Sequence, residues 1–426
     1  MVSTPVTLRS YWRLVRGNPN FRRLWLAQIV SEIGDWFYTL AVYTLLLELT
    51  GKAQSVGLAV ALQVLPQTLV GPTAGVVNDR LRRRQVMISA DLVRAVIVAC
   101  MLLARTRGSI WMVYPLLFVE TVMWGFFEPA RSAVIPNIVP AEDIVVANTL
   151  SATTWSFNLA IGATMGGIAG VLFGRETVFV LNALSFLMSA FLIGRMVFHE
   201  PHAAAAAPLR ARDLVDFTPI LEGIRYVRRD PRLLATVFLK GGVGMLGANW
   251  VIFPIMGARV FPVTIRGLDP SRGAMLGMSL LMGARGVGAL LGPLLSAGWA
   301  AGKGPRMRKG ILVAFLLSAI GYMGLSRAPV VALACACVVL SHAGGSVVWV
   351  FSTTLLQRYT EDRFRGRVFS ADLGFCMLAI ATTSYIASLA VDAGVSVRTV
   401  ALATGIAMLI PAGAWFWALR RWQDNS

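Results

Sequence analysis

Twelve apolar stretches separated by short polar breaks organise the chain, at approximately 24–49, 55–77, 86–104, 109–127, 144–173, 177–198, 233–260, 273–301, 310–326, 328–356, 368–392 and 395–419. A membrane-spanning helix needs about 20 apolar residues, so each stretch is read as one span, the longer ones tilted or extending past the interface. The predicted fold class is all-α integral membrane, with twelve transmembrane helices in two six-helix bundles. The longest polar interruption, 199–232, lies near the chain midpoint and contains the alanine run Ala203 to Ala207. It separates an N-terminal bundle (1–198) from a C-terminal bundle (233–426) as a cytoplasmic linker. Within it, Thr218 can cap a helix starting at Pro219, and Phe217, Leu221, Ile224 and Val227 recur at helical spacing. This predicts a short amphipathic helix, either lying on the inner membrane surface or serving as a solvated connector.

Composition agrees with a lipid environment. Of 426 residues, 56% are hydrophobic and only 14% charged, with mean hydropathy +0.68, which excludes disordered chains, secreted disulfide scaffolds and most soluble enzymes. Forty glycines and twelve tryptophans suit close helix packing and interfacial anchoring. Cys100, Cys335, Cys337 and Cys376 all fall in apolar stretches and read as packing residues, with no metal site and no disulfide framework implied. The N-terminal region from Met1 to Arg23 bears arginines, but the following stretch is interrupted by Glu32 and Asp35 and offers no small-residue cleavage site. A retained first helix is expected, not a signal peptide.

The net charge of +18 would suggest nucleic acid in a soluble protein. Its distribution says otherwise. With the N-terminus inside, and with Arg195, Arg259 and Arg398 counted with the segments next to their span ends, cytoplasmic segments hold 27 of the 39 basic residues, the opposite side nine, and Arg94, Lys240 and Arg285 lie deeper within spans. This asymmetry places both termini in the cytoplasm and accounts for the charge without nucleic acid. Thirty-five of the 39 basic residues are arginine, and no glycosylation sequon occurs, which leans towards a bacterial inner membrane.

The two halves carry traces of a repeat. Glu142 and Asp143 follow the fourth stretch as Glu361 and Asp362 follow the tenth, 219 residues later, and the basic turn Arg80 to Arg84 has a counterpart at Lys303 to Lys309. Paired bundles of this kind form transporters with a substrate cavity between them near the bilayer midplane.

Several segments resemble the major facilitator superfamily. Gly75, Asp79, Arg80, Arg83 and Arg84 match its signature after the second helix, with Arg82 where the family has glycine. The resemblance implies an inner-gate latch, in which Gly75 allows close helix approach and Asp79 faces the N-terminal end of a neighbouring helix. Gly162, Gly166 and Gly167 are similar to the exporter-associated glycine motif, with Ala163 replacing a proline, although generic small-residue packing explains them equally well. The run from Phe127, Glu128, Pro129 and Arg131 to Pro136 and Pro140, then Asn148, resembles enterobactin exporters and macrolide efflux proteins. So do Asn20 to Trp25, Gly34 with Asp35, Glu222 to Tyr226, Leu356 with Gln357, and Arg365 to Val368. The resemblance touches both halves and implies an efflux-type major facilitator fold.

Charged residues within the spans are the candidate chemistry, because each costs roughly 2.5–3.5 kcal/mol to insert and is kept only for a partner, a cavity or a function. Glu32 and Asp35 sit at i and i+3 on one helical face, a repelling pair of the kind a proton-coupling or cation-binding site requires, or else two groups in a hydrated vestibule. Glu120 is the third coupling candidate. Asp91 and Arg94 share the same spacing and read as a structural charge pair. Asp372 is expected near the inner gate, while Lys240, Arg285 and Glu128 have no assignable partner. Many proton-driven exporters of the superfamily carry an arginine in the fourth helix, and Trp111 to Phe127 has none. Trp36, Tyr38, Trp124, Trp250, Trp349 and His342 are the candidates for lining a substrate cavity, against a plain packing role. The three histidines pair with no nucleophile, and no phosphate-binding loop points to ATP.

The expected function is secondary active export of small amphipathic molecules such as drugs, macrolides or siderophores. Alternating access coupled to protons is the expected mechanism, by a monomer in the lipid bilayer, without cofactors. A lipid-handling facilitator and a non-transporting membrane sensor on the same scaffold are the alternatives. An enzyme is not expected, for want of a catalytic constellation.

Overall fold

The computed structural model describes residues 7–200, 218–263, 269–300, 303–361 and 364–423. Among them every regular element is helical. A short helix α1 (Leu8–Gly17) precedes α2 (Pro19–Thr50), α3 (Ala53–Arg80), α4 (Arg83–Cys100), α5 (Val113–Ile138), α6 (Ile144–Phe173) and α7 (Arg175–Gly194). After the linker come α8 (Thr218–Val227), α9 (Pro231–Gly244), α10 (Asn249–Arg259), α11 (Pro270–Ala300), α12 (Gly304–Arg327), α13 (Val331–Tyr359), α14 (Arg365–Asp392), α15 (Val397–Ala407) and α16 (Leu409–Gln423). The pairs α9/α10 and α15/α16 each make one long apolar span.

Ten of the described helical segments are long and apolar enough to cross a membrane, and α6, bent by 45° between Leu159 and Thr164, makes an eleventh. The remaining expected span, 24–49, lies inside the 32-residue α2, whose apolar character is diluted by Glu32 and Asp35. The bend in α6 falls where Gly162 removes side-chain bulk.

The chain packs as two compact units. The first contains the described residues of 1–41 and 69–216. Here α4 packs on α5 and α7, and α1 on α6. Phe21, Leu24, Met87, Phe127, Val134, Ile135 and Ile193 form a buried cluster near the basic ends of these helices. The N-terminal α1 was not expected from hydropathy. Thr7 and Ser10 cap it reciprocally, and it buries Leu14 and Val15.

The second unit contains the described residues of 42–68 and 217–426. Its main packings are α12 on α13, α11 on α13, α10 on α11, and α9 on α14. Apolar association drives helices together weakly in lipid, so close backbone approach carries the packing. A side chain at Gly257 would meet the backbone of Gly277 and Met278, and one at Gly288 the carbonyl of Val339. The linker helix α8 stacks Tyr226 on Phe364 at 4.2 Å and buries Val227 against Leu233, Val237 and Leu356, leaving Leu221 and Ile224 exposed. The alanine run 203–207 lies outside the described residues.

Candidate functional site

One cluster of buried charge in the first unit centres on the guanidinium of Arg94. Arg94, enclosed within α4, lies 2.8 Å from Asp35 of α2, 2.8 Å from Glu120 of α5 and 3.7 Å from Asp91 one turn earlier on α4. Its Nε donates a hydrogen bond to Glu120 at 2.8 Å and its Nη2 one to Asp35 at 2.8 Å, and its Cζ lies 4.0 Å from the centre of the Phe186 ring on α7. Neither oxygen of the buried Asp91 has a hydrogen-bond partner among the described residues. The residues expected to form a structural pair and two of the coupling candidates therefore share one cluster, drawn from three helices. Three carboxylates face a single cation, an excess of negative charge that protons or a cation can neutralise.

Glu32 belongs to a second cluster. Its carboxylate accepts hydrogen bonds from Asn158 Nδ2 at 2.7 Å and Gln28 Nε2 at 2.9 Å, while Arg131 Nη1 donates to Gln28 Oε1 at 3.1 Å and pairs with Glu128. Glu32 and Asp35 thus each have their own partners. The expectation that the fourth membrane helix lacks an arginine is corrected, because α5 continues past residue 127 to Ile138 and holds the buried Arg131. Pro129 and Pro136 are accommodated inside the helix, as prolines often are in membrane spans.

The basic turn between α3 and α4 does not take the arrangement that its motif implies. Among the described residues, a Cβ at Gly75 would meet nothing within 4 Å. Asp79, with 74% of its side chain exposed, is paired with Arg83 of its own motif at 3.6 Å rather than with a neighbouring helix end. The arginines instead tie helix ends together. Arg83 donates to the carbonyl of Ala133 at 2.9 Å, and Arg84 to the carbonyls of Ile193 and Gly194 at the C-terminus of α7, where a cation is favoured. Arg80 is half-buried.

The glycine motif does permit close approach. Side chains at Gly162 and Gly166 would meet Trp36 Cβ and Phe37 Cα, both at 2.9 Å. Gly167 is buried beside them. Trp36 is accordingly a packing partner of α6, and the buried Tyr38 lies edge-on to Phe179 with ring centres 5.9 Å apart. Trp124 is half-buried.

In the second unit Lys240 finds a partner in Asp372 at 2.7 Å, with both side chains buried and the ammonium 4.2 Å from the Trp349 ring centre. Trp250 lies 4.1 Å from the guanidinium of Arg285. His342 is 3.4 Å from the hydroxyl of Tyr322 and edge-on to Phe253. Sequence reasoning left Lys240 and Arg285 without roles, since their neighbours come from helices remote in the chain. Their one legible signal was charge within a span.

The profile of the MFS_3 family, described as transmembrane secretion effector, matches residues 14–425. The putative bacilysin exporter BacE of Bacillus amyloliquefaciens is similar at 26% identity over 368 residues, covering 84% of this chain and 86% of that protein. Macrolide efflux protein A of Streptococcus pyogenes is similar at 26% identity over 184 residues, 43% of this chain and 44% of that protein. The chain spans about half the length of several curated relatives that it matches. The crystal structure of the nucleoside transporter NupG shares the fold, with TM-score 0.70 at 13% identity over 93% of this chain and 98% of that one. The family profile covers nearly the whole chain, and the chain belongs to the transmembrane secretion effector family of major facilitator superfamily membrane transporters.

Proposed function

We propose that this transporter exports small amphipathic molecules from the cytoplasm of a bacterium across its inner membrane, exchanging them for protons by alternating access. The six-helix halves 1–198 and 233–426, joined by the linker 199–232, are the moving parts in this reading, with both termini cytoplasmic. The carrying observation is the cluster of Asp35, Asp91 and Glu120 around the lone cation Arg94. Such a site can exchange protons while the arginine stays charged, and Asp35, the most exposed of the three at 27% of its side chain, is the entry point. A ligand moves a conformational equilibrium only by binding its states unequally. Protons qualify if Asp35 leaves Arg94 in one state and regains it in the other. The glycine-lined bend in α6 against Trp36 and Phe37 supports helix movement at the same level of the bundle. The relatives named as exporters support the direction.

The test is efflux of a macrolide and of an amphipathic fluorescent dye from proteoliposomes under an imposed pH gradient, comparing the wild type with Asp35→Asn. Gradient-driven efflux is expected to vanish in the variant while exchange without a gradient persists. Equal gradient-driven efflux in both would refute the role of Asp35, and no flux of either probe under any gradient would count against export of this substrate class.

A further inference from the structure

Three of the four cations buried in the helices already considered have carboxylate partners: Arg94 with Asp35 and Glu120, Arg131 with Glu128, and Lys240 with Asp372. Arg285, midway along α11, has none. No carboxylate among the described residues lies within ion-pair distance of it, and its Nη1 is enclosed without a hydrogen-bond partner. What surrounds it is neutral. The ring of Trp250 on α10 covers the guanidinium at 4.1 Å. Tyr43 of α2, Tyr322 of α12 and His342 of α13 lie within electrostatic reach of it. Tyr43 donates to Gln63 Oε1 at 2.7 Å, and the Tyr322 hydroxyl meets His342 Nε2 at 3.4 Å. All of these residues belong to the second compact unit.

The Trp250 face offsets part of the charge but cannot accept the hydrogen bond that Nη1 lacks. Nor is Arg285 sealed off. The residue as a whole is half-buried, and a charge exposed at membrane depth faces a partner or a water-filled cavity rather than hydrocarbon. The missing counter-charge therefore has room to arrive from outside the protein.

We infer that Arg285, whose guanidinium is covered on one face by Trp250, is the recognition point for an acidic group on the transported molecule, a carboxylate. The planar guanidinium matches a carboxylate in two-point geometry. Trp250, half-buried, offers flat apolar surface for the rest of the molecule. The substrate class is thus an amphipathic acid or zwitterion. This inference rests on the export reading for its biological sense, but the binding site itself does not require transport.

The experiment is equilibrium binding to the full-length protein in nanodiscs, without any gradient. The probes are 2-naphthoate and its neutral counterpart 2-naphthamide, which differ only in the acidic group. Naphthoate is expected to bind about tenfold more tightly than the amide, Arg285→Gln to abolish that preference, and Arg285→Lys to keep part of it. The inference is overturned if the wild type does not prefer the acid, or if Arg285→Gln preserves the preference. Should that variant not fold, Trp250→Leu replaces it, with a several-fold loss of affinity for both probes expected and unchanged binding overturning the site. 2-Naphthyl phosphate separates the anion classes: tighter binding than naphthoate would overturn the carboxylate assignment. Preference for the acid without flux would leave this site standing and sink the export reading, whereas proton-driven flux indifferent to Arg285 would do the reverse.

Discussion

Asp392, the last residue of α14, accepts the backbone N–H of Ala53, the first residue of α3, at 2.7 Å across 339 positions of sequence. Its other oxygen accepts the N–H of Gln54 at 2.7 Å, Tyr385 receives the Gln54 amide at 2.9 Å, and Arg259 donates to the carbonyl of Gly51 at 2.8 Å. A distant carboxylate thus serves as the N-cap of α3, satisfying two of the donors that every helix start leaves open.

Removing that cap by Asp392→Ala should cost about 1 kcal/mol, and Asp392→Asn less, because the amide oxygen still accepts one bond. Hydrogen exchange at residues 53–57 is the sensitive readout. The amides should open faster in the alanine variant, and unchanged protection would show that the cap contributes nothing.

Arg94→Leu leaves three carboxylates buried without their cation. On general experience with broken buried pairs the loss should be about 3–5 kcal/mol, seen as a fall in thermal stability of the purified protein. Arg94→Leu combined with Asp91→Asn should recover part of it, since Asp91 has Arg94 alone as ion-pair partner at 3.7 Å. No recovery would mean that Arg94 acts mainly through its contact with Phe186.

Lys240 and Asp372 form the sharper case, both enclosed and 2.7 Å apart. Lys240→Met alone should destabilise strongly by stranding Asp372. The double variant Lys240→Met with Asp372→Leu should come close to wild-type stability, because apolar replacement of both members also removes the desolvation penalty. If the double variant is as unstable as the single, the pair is not the relevant unit.

Membrane character and helix positions were legible because hydropathy at span length is a local property. The boundaries were less so. The fourth apolar stretch was bounded at residue 127, yet the helix continues to Ile138 and brings Arg131 to Gln28 at 3.1 Å. Asp91 and Arg94 were readable as neighbours from spacing alone, whereas Asp35 and Glu120 reach Arg94 from positions 59 and 26 residues away. Motif glycines were equally ambiguous: Gly162 packs on Trp36, while Gly75 faces open space. Residue type announces what a group can do, but its partner is fixed by how helices are arranged laterally, which no local pattern encodes.

Gly166→Leu should separate packing from generic small-residue tolerance. A branched side chain there would run into Phe37 Cα, so α6 must move away from α2. A large loss of transport with the protein still folded is expected, whereas Gly413→Leu, at a position with nothing within 4 Å, should be nearly silent. Equal effects at the two sites would remove any special role for the glycine motif.

Lys52 and Arg82 are exposed and flank α3, whose 28 residues at 1.5 Å per residue extend about 42 Å, more than the roughly 30 Å of a hydrocarbon core. They must therefore lie on opposite faces of the membrane if α3 crosses it, and the excess of arginines after α3 predicts that Arg82 is the one inside. With single cysteines at these positions, a membrane-impermeant thiol reagent added to intact cells should label Lys52→Cys and spare Arg82→Cys until the cells are opened. Labelling of both from outside would refute the crossing. Labelling of Arg82→Cys alone would invert the topology, and with it the direction in which Asp35 meets the proton gradient.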